Sequence, residues 1–345
     1  MARRSADVAI AERARVRGEG IRSQLTTAVG RVRSLGPPGP SGSSTHYWRN
    51  LLGSPYVALI VVTTIWGSLH PLGKFTMRDV TPVQLVFARV FFAGLTMAFL
   101  LALQGKVSDI AHELRHRTGT VLLLATFSFF GSSGASMIAL SLLPASASSL
   151  LSNTSPLFVA MGAIALTGRR TKPIAIGGVL LGFVGLGLVI FGENPNGFGT
   201  LGLNPLGVAL SLIGSLTWAI YIGLGRRAMA KGNPLAVVAA SSLFGGAAWL
   251  AISAITGDLV RFLTLSLVDW GLIAYLGVVG TGITYGLWTA ALARLSAARV
   301  AVFQYAIPFW AVVLSVLLLG EQVTVPLVLG GIGIVAGIAI AQSTR

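Results

Sequence analysis

Residues 63–73 read TTIWGSLHPLG and residues 215–225 read SLTWAIYIGLG, so Trp66 and Gly73 recur 152 residues later as Trp218 and Gly225. The same spacing holds without a gap along both halves of the chain. Further pairs at this spacing are Thr63/Ser215, Met77/Met229, Pro82/Pro234, Gly94/Gly246, Pro156/Pro308, Gly168/Gly320, Gly178/Gly330 and Gly185/Gly337. Because proline and glycine determine where a backbone bends and packs closely, the two halves are predicted to fold alike.

The composition is that of a membrane protein. Hydrophobic residues make up 54% of the chain and charged residues only 10%, too few to cover the surface of a soluble domain of this size. The 43 glycines are typical of helices that approach closely in lipid. With no cysteine, the chain has no thiolate metal site or cysteine nucleophile, and neither P-loop nor other cofactor motif is present. We therefore expect no cofactor.

The apolar runs are continuous rather than alternating, which favours helices over barrel strands. Each half holds five runs near the roughly 20 residues that cross about 30 Å of hydrocarbon. An odd number of crossings inserts the second half upside down. The sequence thus predicts an all-α polytopic membrane protein with ten transmembrane helices in two inverted five-helix repeats, residues 55–192 and 204–342. The predicted spans are 55–73, 82–104, 119–142, 145–167, 172–192, 204–224, 234–256, 270–293, 297–319 and 323–342.

The basic residues predict the orientation in a cell (plasma or inner) membrane. With a cytoplasmic N-terminus, 21 of the 25 Lys and Arg residues fall inside, three fall outside and Arg89 lies within a span. This bias favours both termini in the cytoplasm. It also explains the net charge of +15 without a nucleic-acid partner. Residues 1–50 are predicted to be a basic, Gly/Pro/Ser-containing and disordered cytoplasmic leader attracted to the lipid bilayer, or an over-long start of the chain.

Short motifs in this frame resemble the drug/metabolite transporter superfamily, specifically its EamA-type members with two five-helix repeats. The matching stretches are Ile65-Trp66-Gly67, Ala88-Arg89-Val90, Pro156-Leu157-Phe158, Pro308-Phe309-Trp310 and Leu319-Gly320-Glu321. The resemblance covers residues 55–342 and implies transport of small metabolites without ATP, commonly the export of amino acids or related compounds. Two departures are Ser241, where an arginine equivalent to Arg89 is expected, and Arg169, where a glutamate is often found.

Arg89 is the strongest single candidate for a residue that binds a substrate. It lies eight positions after Thr81, so about 12 Å into the second span. A charge at that depth costs several kcal/mol unless it faces a partner or water. One interpretation is a counter-charge for a substrate anion in a central cavity. The other is a structural arginine that binds helix-end carbonyls or extends towards the membrane surface.

Aromatic and polar residues at the 152-residue spacing predict the walls of that cavity, in the first, third and fourth helices of each half. The candidates are Thr63, Trp66, His70, Ser136, Asn153, Trp218, Tyr221, Tyr285, Trp288, Gln304 and Tyr305, with helix breaks at Pro156 and Pro308. Small polar residues of one half correspond to larger aromatic residues of the other, which predicts an asymmetric pocket. Packing between helices and interhelical hydrogen bonds are the alternatives.

Two further motifs indicate a possible metal site and close helix packing. His112-Glu113-Leu114-Arg115-His116 spells H-E-x-x-H, which would make a membrane-embedded zinc metalloprotease the alternative function. Arg115 and the short charged loop favour a solvated loop helix instead. Gly178-x-x-x-Gly182 and Gly333-x-x-x-Gly337 predict close helix packing, within the chain or between two copies as a homodimer.

Taken together, the sequence predicts a non-enzymatic secondary transporter. We expect it to export amino acids or related small metabolites by alternating access through a central cavity. Because no Asp or Glu lies well inside a span, facilitated diffusion, exchange or coupling through His70 is favoured over a carboxylate proton relay. A non-transporting lipid-binding membrane protein is a further alternative, suggested by the basic leader and the Gly-rich helices.

Overall fold

The computed structural model describes residues 54–167, 173–191, 203–229, 232–292, 295, 303–304 and 306–343. The predicted leader, residues 1–50, lies outside this part. Every regular element in the described part is helical, which confirms the all-α prediction.

The described residues of the first half form seven helices by our numbering. They are α1 (Pro55–Thr76), α2 (Pro82–Leu103), α3 (Ser108–His116), α4 (Thr118–Leu142), α5 (Ala145–Ser152), α6 (Ser155–Thr167) and α7 (Pro173–Phe191). Helix α4 includes a π-helical segment, Thr126–Gly134.

The second half repeats the pattern. It contains α8 (Pro205–Met229), α9 (Pro234–Ile255), α10 (Asp258–Arg261), α11, α12 (Ala306–Leu319) and α13 (Val325–Ser343). Helix α11 consists of three consecutive segments, Leu267–Ala274, the π-helical Tyr275–Ile283 and Thr284–Leu292.

Proline and capping residues determine where the long helices begin. Helices α1, α2, α7, α8 and α9 all start with a proline, whose missing N–H is not needed in the first turn. At the start of α2, the Thr81 hydroxyl accepts a hydrogen bond from Gln84 N (3.2 Å). The Gln84 side chain in return accepts one from Thr81 N (2.8 Å). This reciprocal capping box fixes the start of the helix that carries Arg89.

Seven helices of the described part are long and apolar enough to cross a membrane, namely α1, α2, α4, α7, α8, α9 and α11. Helix α12 and the apolar part of α13, Val325–Ala341, are shorter. The predicted span 145–167 is divided into α5 and α6. Length and composition thus confirm a membrane protein with several spans, whereas the count of ten crossings stays a prediction.

The break between α5 and α6 follows from Pro156. Proline cannot donate the backbone hydrogen bond that would continue the helix. Asn153 and Thr154 form a turn there, and their side chains add hydrogen bonds to carbonyls in the last turn of α5, which also accept from the backbone. Asn153 Nδ2 donates to Ser149 O (2.8 Å) and Thr154 Oγ1 donates to Leu151 O (2.6 Å). The last carbonyls of α5 thus keep hydrogen-bond partners at the break, as a membrane segment requires.

Helices α2 and α9 occupy equivalent positions in the two halves and pack directly on each other. A Cβ atom on Gly94 would lie 2.9 Å from the Leu243 side chain, and one on Gly246 would lie 3.1 Å from Phe91 Cα. Gly94 corresponds to Gly246, and Phe91 to Leu243, so one contact is made twice. As the chain advances along α2, its neighbour on α9 moves backwards. The two equivalent helices therefore run antiparallel.

Helices α7 and α13 form a second antiparallel pair of equivalents. A Cβ atom on Gly178 would lie 2.7 Å from Gly337 O, and one on Gly330 would lie 2.6 Å from Gly185 O. Gly178 corresponds to Gly330 and Gly185 to Gly337, so this contact also occurs twice. The glycines predicted to promote close packing are thus used within the chain. Association into a homodimer stays a prediction.

The first testable prediction concerns this glycine contact. We expect Gly178→Ala to destabilise the protein by roughly 1–3 kcal/mol, because the added methyl group must push the backbone of α13 away. Gly177→Ala is the matched control, because a Cβ atom at Gly177 meets nothing within 4 Å. Unfolding of the purified variants, measured in one detergent, would check the prediction. Equal stability of the two variants would contradict it.

Candidate functional site

A cavity of about 170 Å³ lies between the two halves, surrounded by α1, α2, α4, the α5–α6 break, α8, α11, α12 and α13. One water needs roughly 10–15 Å³ by this measure, so the cavity has room for on the order of ten waters. The predicted site residues that line it are Trp66, His70, Arg89, Ser136, Asn153, Trp218, Tyr285, Gln304, Pro156 and Pro308. The structure thus brings together side chains that are up to 242 positions apart, since Trp66 and Pro308 share one cavity.

The cavity walls preserve the relation between the halves. In six pairs of positions separated by 152 residues, both members line the cavity. The pairs are Trp66/Trp218, Phe129/Thr281, Ser133/Tyr285, Ser152/Gln304, Ser155/Ile307 and Pro156/Pro308. Because equivalent residues meet across one space, the cavity lies around the axis that relates the halves. Its walls differ in chemistry, since Ser133 faces the space on one side and Tyr285 on the other.

Arg89 lies half-buried in the cavity wall. Its Nε donates to Thr281 Oγ1 (3.1 Å), and its Nη1 lies 3.9 Å from the sulfur of Met137. Within the part of the chain that the structure describes, no carboxylate pairs with Arg89. A guanidinium group has five N–H donors, so most of its donors are left for a bound group or water. Arg89 could therefore bind an anionic group in the cavity through these donors.

Thr281 is a cavity residue that the sequence analysis did not identify. It lies in the π-helical segment of α11 and donates to Leu276 O (3.0 Å), five residues earlier. Its oxygen remains available to accept the bond from Arg89. No hydropathy pattern distinguishes this threonine from others in apolar helices. Only the local π-helical turn directs it to the cavity.

Both halves carry a π-helical segment beside the cavity, Thr126–Gly134 in α4 and Tyr275–Ile283 in α11. At the 152-residue spacing the two segments overlap over most of their length. The first contributes Phe129, Ser132 and Ser133 to the walls, and the second contributes Thr281. Short π-helical turns frequently occur at functional sites because they redirect side chains within a continuous helix.

His70 lines the cavity near the end of α1. Both of its ring nitrogens are buried and have no hydrogen-bond partner in the described residues. Pro71 follows directly inside the helix and removes one backbone donor from the next turn. A neutral imidazole offers one donor and one acceptor, so His70 has two unused bonding positions beside the cavity.

Two tryptophans and a tyrosine form an aromatic wall. The ring centroids of Trp66 and Tyr285 lie 6.1 Å apart, and those of Trp218 and Tyr285 lie 6.4 Å apart in an edge-to-face arrangement. Trp66 Nε1 donates to Thr284 Oγ1 (2.9 Å), which holds its indole in place. Tyr285 is thus held between two equivalent tryptophans.

Three predicted site residues lie behind the wall rather than in it. Trp288 packs against Trp66 with ring centroids 4.9 Å apart, and Tyr221 stacks on Trp218 at the same distance. Thr63 is buried and donates to Leu59 O (2.9 Å) within its own helix. Trp288 and Tyr221 therefore support the two tryptophans from outside. Tyr305 lies outside the described residues.

The structure adds one helix, α13, to the predicted lining. The other lining residues come from the first, third and fourth helices of each half and, in the case of Arg89, from α2. Ile334, Val335 and Ile338 of α13 complete an apolar side of the cavity. Their apolar sequence is typical of any membrane helix and gave no signal of this position.

One end of the cavity region is held by charged side chains at helix ends. Glu321 accepts hydrogen bonds from Ala145 N (2.5 Å), Ser146 N (3.0 Å) and Ser146 Oγ (2.6 Å) at the start of α5. Lys74 donates to Leu140 O (2.8 Å) and Ser141 O (3.1 Å) at the end of α4. A carboxylate at a helix N-terminus and an ammonium at a C-terminus both match the helix dipole. Lys74 thus binds the α4 side of the α4–α5 hairpin, and Glu321 binds its α5 side.

The H-E-x-x-H stretch forms the loop helix α3. The rings of His112 and His116 stack at 4.4 Å on its exposed side. Glu113 is buried, and its Oε2 lies 2.9 Å from Arg117 Nη1. In the described part of the chain, no group of three or more His, Cys, Asp or Glu residues is placed to hold a metal. Because the glutamate is engaged with Arg117, this arrangement does not support the metalloprotease alternative.

Helices in two equivalent halves around a shared cavity define the class as a membrane protein with an internal repeat. Comparison with known families agrees and is more specific. The model of the EamA-like transporter family matches residues 53–191 and again residues 205–342. The chain belongs to the EamA-like transporter family, which confirms the resemblance drawn from its motifs.

Relatives of this chain are also named as transporters. It is 23% identical over 288 residues to the uncharacterized transporter YyaM of Bacillus subtilis, covering 83% of this chain and 93% of YyaM. It is 27% identical over 268 residues to the uncharacterized inner membrane transporter YedA of Escherichia coli, covering 77% of this chain and 83% of YedA. A solved crystal structure has the same fold, with a TM-score of 0.59 at 22% identity over 84% of this chain and 97% of that chain.

The second testable prediction concerns water in the cavity. Because the chain has no cysteine, a single introduced thiol reports its own surroundings. We expect Ser133→Cys and Gln304→Cys to react with a small, charged methanethiosulfonate reagent. The control is Leu180→Cys, because Leu180 is 60% exposed on the outer face of α7, where lipid covers it. Modification would be counted by mass spectrometry after reaction in membranes. Protection of both cavity thiols would contradict the assignment of this space as aqueous.

Proposed function

We propose that this EamA-family chain is a secondary transporter that exports amino acids or related small metabolites by alternating access. In this proposal ten helices cross the membrane as two inverted five-helix repeats, with both termini in the cytoplasm. The observation that carries the proposal is the set of six equivalent residue pairs around one cavity. A binding site at the interface of inverted repeats is the arrangement by which secondary transporters expose one site to either side.

The antiparallel packing of equivalent helices supports the inversion. Helix α7 runs opposite to α13, and α2 runs opposite to α9, as the doubled glycine contacts require. Two repeats related in this way can exchange conformations, so that an opening on one side becomes the same opening on the other. The tight glycine contacts would hold α7 and α13 together while the other helices around the cavity rock.

The break between α5 and α6 supplies polar groups to the cavity. Ser152, Asn153 and Ser155 surround the break before Pro156 and line the cavity. Discontinuous helices are the usual source of binding groups in such carriers, because irregular backbone is tolerated only where it borders protein or water. These groups, Arg89 and the aromatic wall would hold a small amphipathic metabolite.

The hydrogen bonds of Glu321 and Lys74 to the α4–α5 hairpin indicate that the two ends of the cavity do not open with equal ease. Glu321 belongs to the second half but binds the start of α5 in the first. The position equivalent to Glu321 is Arg169, so the sequence does not duplicate this contact. Opening of this end would break the bonds of Glu321 and Lys74, whereas opening of the other end would not. The two conformations would therefore differ in free energy.

The third testable prediction is a direct test of transport. Proteoliposomes loaded with a mixture of small metabolites should release a subset of them when they contain the protein, as measured by mass spectrometry of the external solution. We expect Ser133→Trp to reduce this release at least tenfold, because an indole would fill a cavity with room for on the order of ten waters. Leu180→Trp adds the same side chain to the lipid-facing side of α7 and should leave release unchanged.

The outcome also separates the competing functions. Release by both variants at the rate of the unmodified protein would exclude this cavity as the route. No release of any compound by the unmodified protein would contradict the transport function itself. Monodispersity of each variant in size-exclusion chromatography would show that loss of release does not reflect unfolding.

The fourth testable prediction concerns topology. With ten crossings and a cytoplasmic N-terminus, a C-terminal reporter should lie in the cytoplasm, and a cysteine at Arg261 should react with an impermeant reagent from outside. A cysteine at Lys106 is the matched control, because it lies in the corresponding loop of the first half and should react only after permeabilisation. An external C-terminus would contradict the inverted ten-helix arrangement.

A further inference from the structure

The charges around the cavity are unbalanced. Arg89 is the only residue with a fixed charge among the described residues that line it, and neither Asp nor Glu lines it. His70 also lines the cavity, and protonation of its imidazole would only add positive charge. The hydroxyls of Thr281 and Tyr285 and the amides of Asn153 and Gln304 are neutral. The residues that line the cavity therefore contribute at least one positive charge without a compensating negative charge.

The carboxylates of the described residues are used elsewhere. Glu113 pairs with Arg117, and Glu321 binds the start of α5. Asp109 accepts from Asn233 Nδ2 (3.0 Å), Asp258 accepts from Thr256 Oγ1 (2.6 Å) and Asp269 accepts from Ser266 N (3.0 Å). Asp79 is exposed in the turn after α1. All six lie at helix ends or in loops, so none neutralises Arg89 within the described structure.

This imbalance selects the net charge of the cargo. A cargo with one negative charge makes the occupied site neutral, whereas a zwitterion leaves it positive and a cation makes it doubly positive. Because apolar helices enclose this small cavity, charges inside it are screened less than in bulk water, and the difference is larger there. A planar carboxylate also matches the two parallel donors of a guanidinium group. An ammonium group would find only neutral acceptors here and would lie in the field of Arg89.

The remaining walls indicate the uncharged part of the cargo. Trp66, Trp218 and Tyr285 provide flat aromatic surfaces, and Ile334 and Ile338 close an apolar side. Room for on the order of ten waters corresponds to about ten non-hydrogen atoms. A ring with a short side chain has this size, and rings pack well against aromatic walls in offset or edge-to-face geometry.

We propose that the cargo is an organic monoanion with a planar hydrophobic body, held by its carboxylate at Arg89 and by its ring against the aromatic wall of Trp66, Trp218 and Tyr285. The proposal rests on the transport function above and narrows its substrate class. It selects ring-bearing carboxylates, including amino acids whose ammonium group has been removed or acylated, over zwitterionic amino acids and cationic compounds.

Four compounds that share a phenyl ring but differ in charge test the proposal. They are 3-phenylpropionate (monoanion), phenylalanine (zwitterion), 3-phenylpropionamide (neutral) and 2-phenylethylamine (cation). Thermal stabilisation of the purified full-length protein measures binding, because a ligand that binds only the folded state raises the melting temperature. Counterflow in proteoliposomes measures transport of the same compounds. We expect 3-phenylpropionate to bind at least tenfold more tightly than each of the others and to be transported fastest.

Three variants separate the role of Arg89 from general effects of charge. Arg89→Gln should reduce binding of 3-phenylpropionate at least tenfold and leave binding of the amide within threefold. Arg78→Gln removes a positive charge at an exposed position, where the guanidinium stacks over Phe75, and should have no effect. Ser133→Asp adds a carboxylate to the cavity and should reverse the preference between 3-phenylpropionate and phenylalanine. This gain of zwitterion binding cannot arise from unfolding.

The result that overturns the proposal is distinct from failure of the transport function. If phenylalanine or 2-phenylethylamine binds and moves as well as 3-phenylpropionate, the monoanion preference is wrong while transport stands. Binding of none of the four compounds also overturns the proposal, and the metabolite release assay then decides separately whether the protein transports. An unchanged preference in Arg89→Gln would show that another group selects the charge.

Discussion

The architecture depends on close contact between equivalent helices of the two halves. Glycines on α7 and α13 bring the two backbones so close that a single methyl group on Gly178 would lie 2.7 Å from Gly337 O. Lipid offers no hydrophobic driving force for helix association, so van der Waals contact between such surfaces is a main source of stability. The same contact occurs twice because Gly178 and Gly185 correspond to Gly330 and Gly337. This duplication fixes α7 and α13 as an antiparallel pair, and α13 also presents Ile334 and Ile338 to the cavity.

Irregular backbone is concentrated around that cavity. The break before Pro156 and the π-helical turns in α4 and α11 all contribute residues to its walls. In a membrane, such departures from the α-helix are tolerated only where protein or water satisfies the freed groups. Near Pro156, Asn153 and Thr154 add side-chain hydrogen bonds to the backbone ones in the last turn of α5. The regular helices therefore supply the frame, and the irregular segments determine which polar groups reach the cavity.

The electrostatics of the cavity follow from what surrounds Arg89. Thr281 holds its Nε, and Met137 lies against its Nη1, but no carboxylate of the described residues pairs with it. A buried charge without a partner is costly, and a binding site for an opposite charge is a common reason for its presence. Membership of the EamA-like transporter family does not by itself specify a substrate. The charge and shape of this cavity are what distinguish classes of cargo.

The sequence by itself determined the repeat, the apolar helices and much of the cavity. Proline and glycine at a constant spacing define equivalent positions because they act locally on the backbone, and most candidates chosen from those positions, such as Trp66, Trp218 and Asn153, meet around one space. Tertiary structure decided the rest. Thr281 faces the cavity only because of a π-helical turn, and Ile334 and Ile338 line it only because of how α13 crosses its neighbours. Trp288, Tyr221 and Thr63 lie behind the wall for the same reason. Hydropathy records whether a residue tolerates an apolar environment, but which helix it faces depends on rotation and packing, and these are set by contacts between residues far apart in sequence.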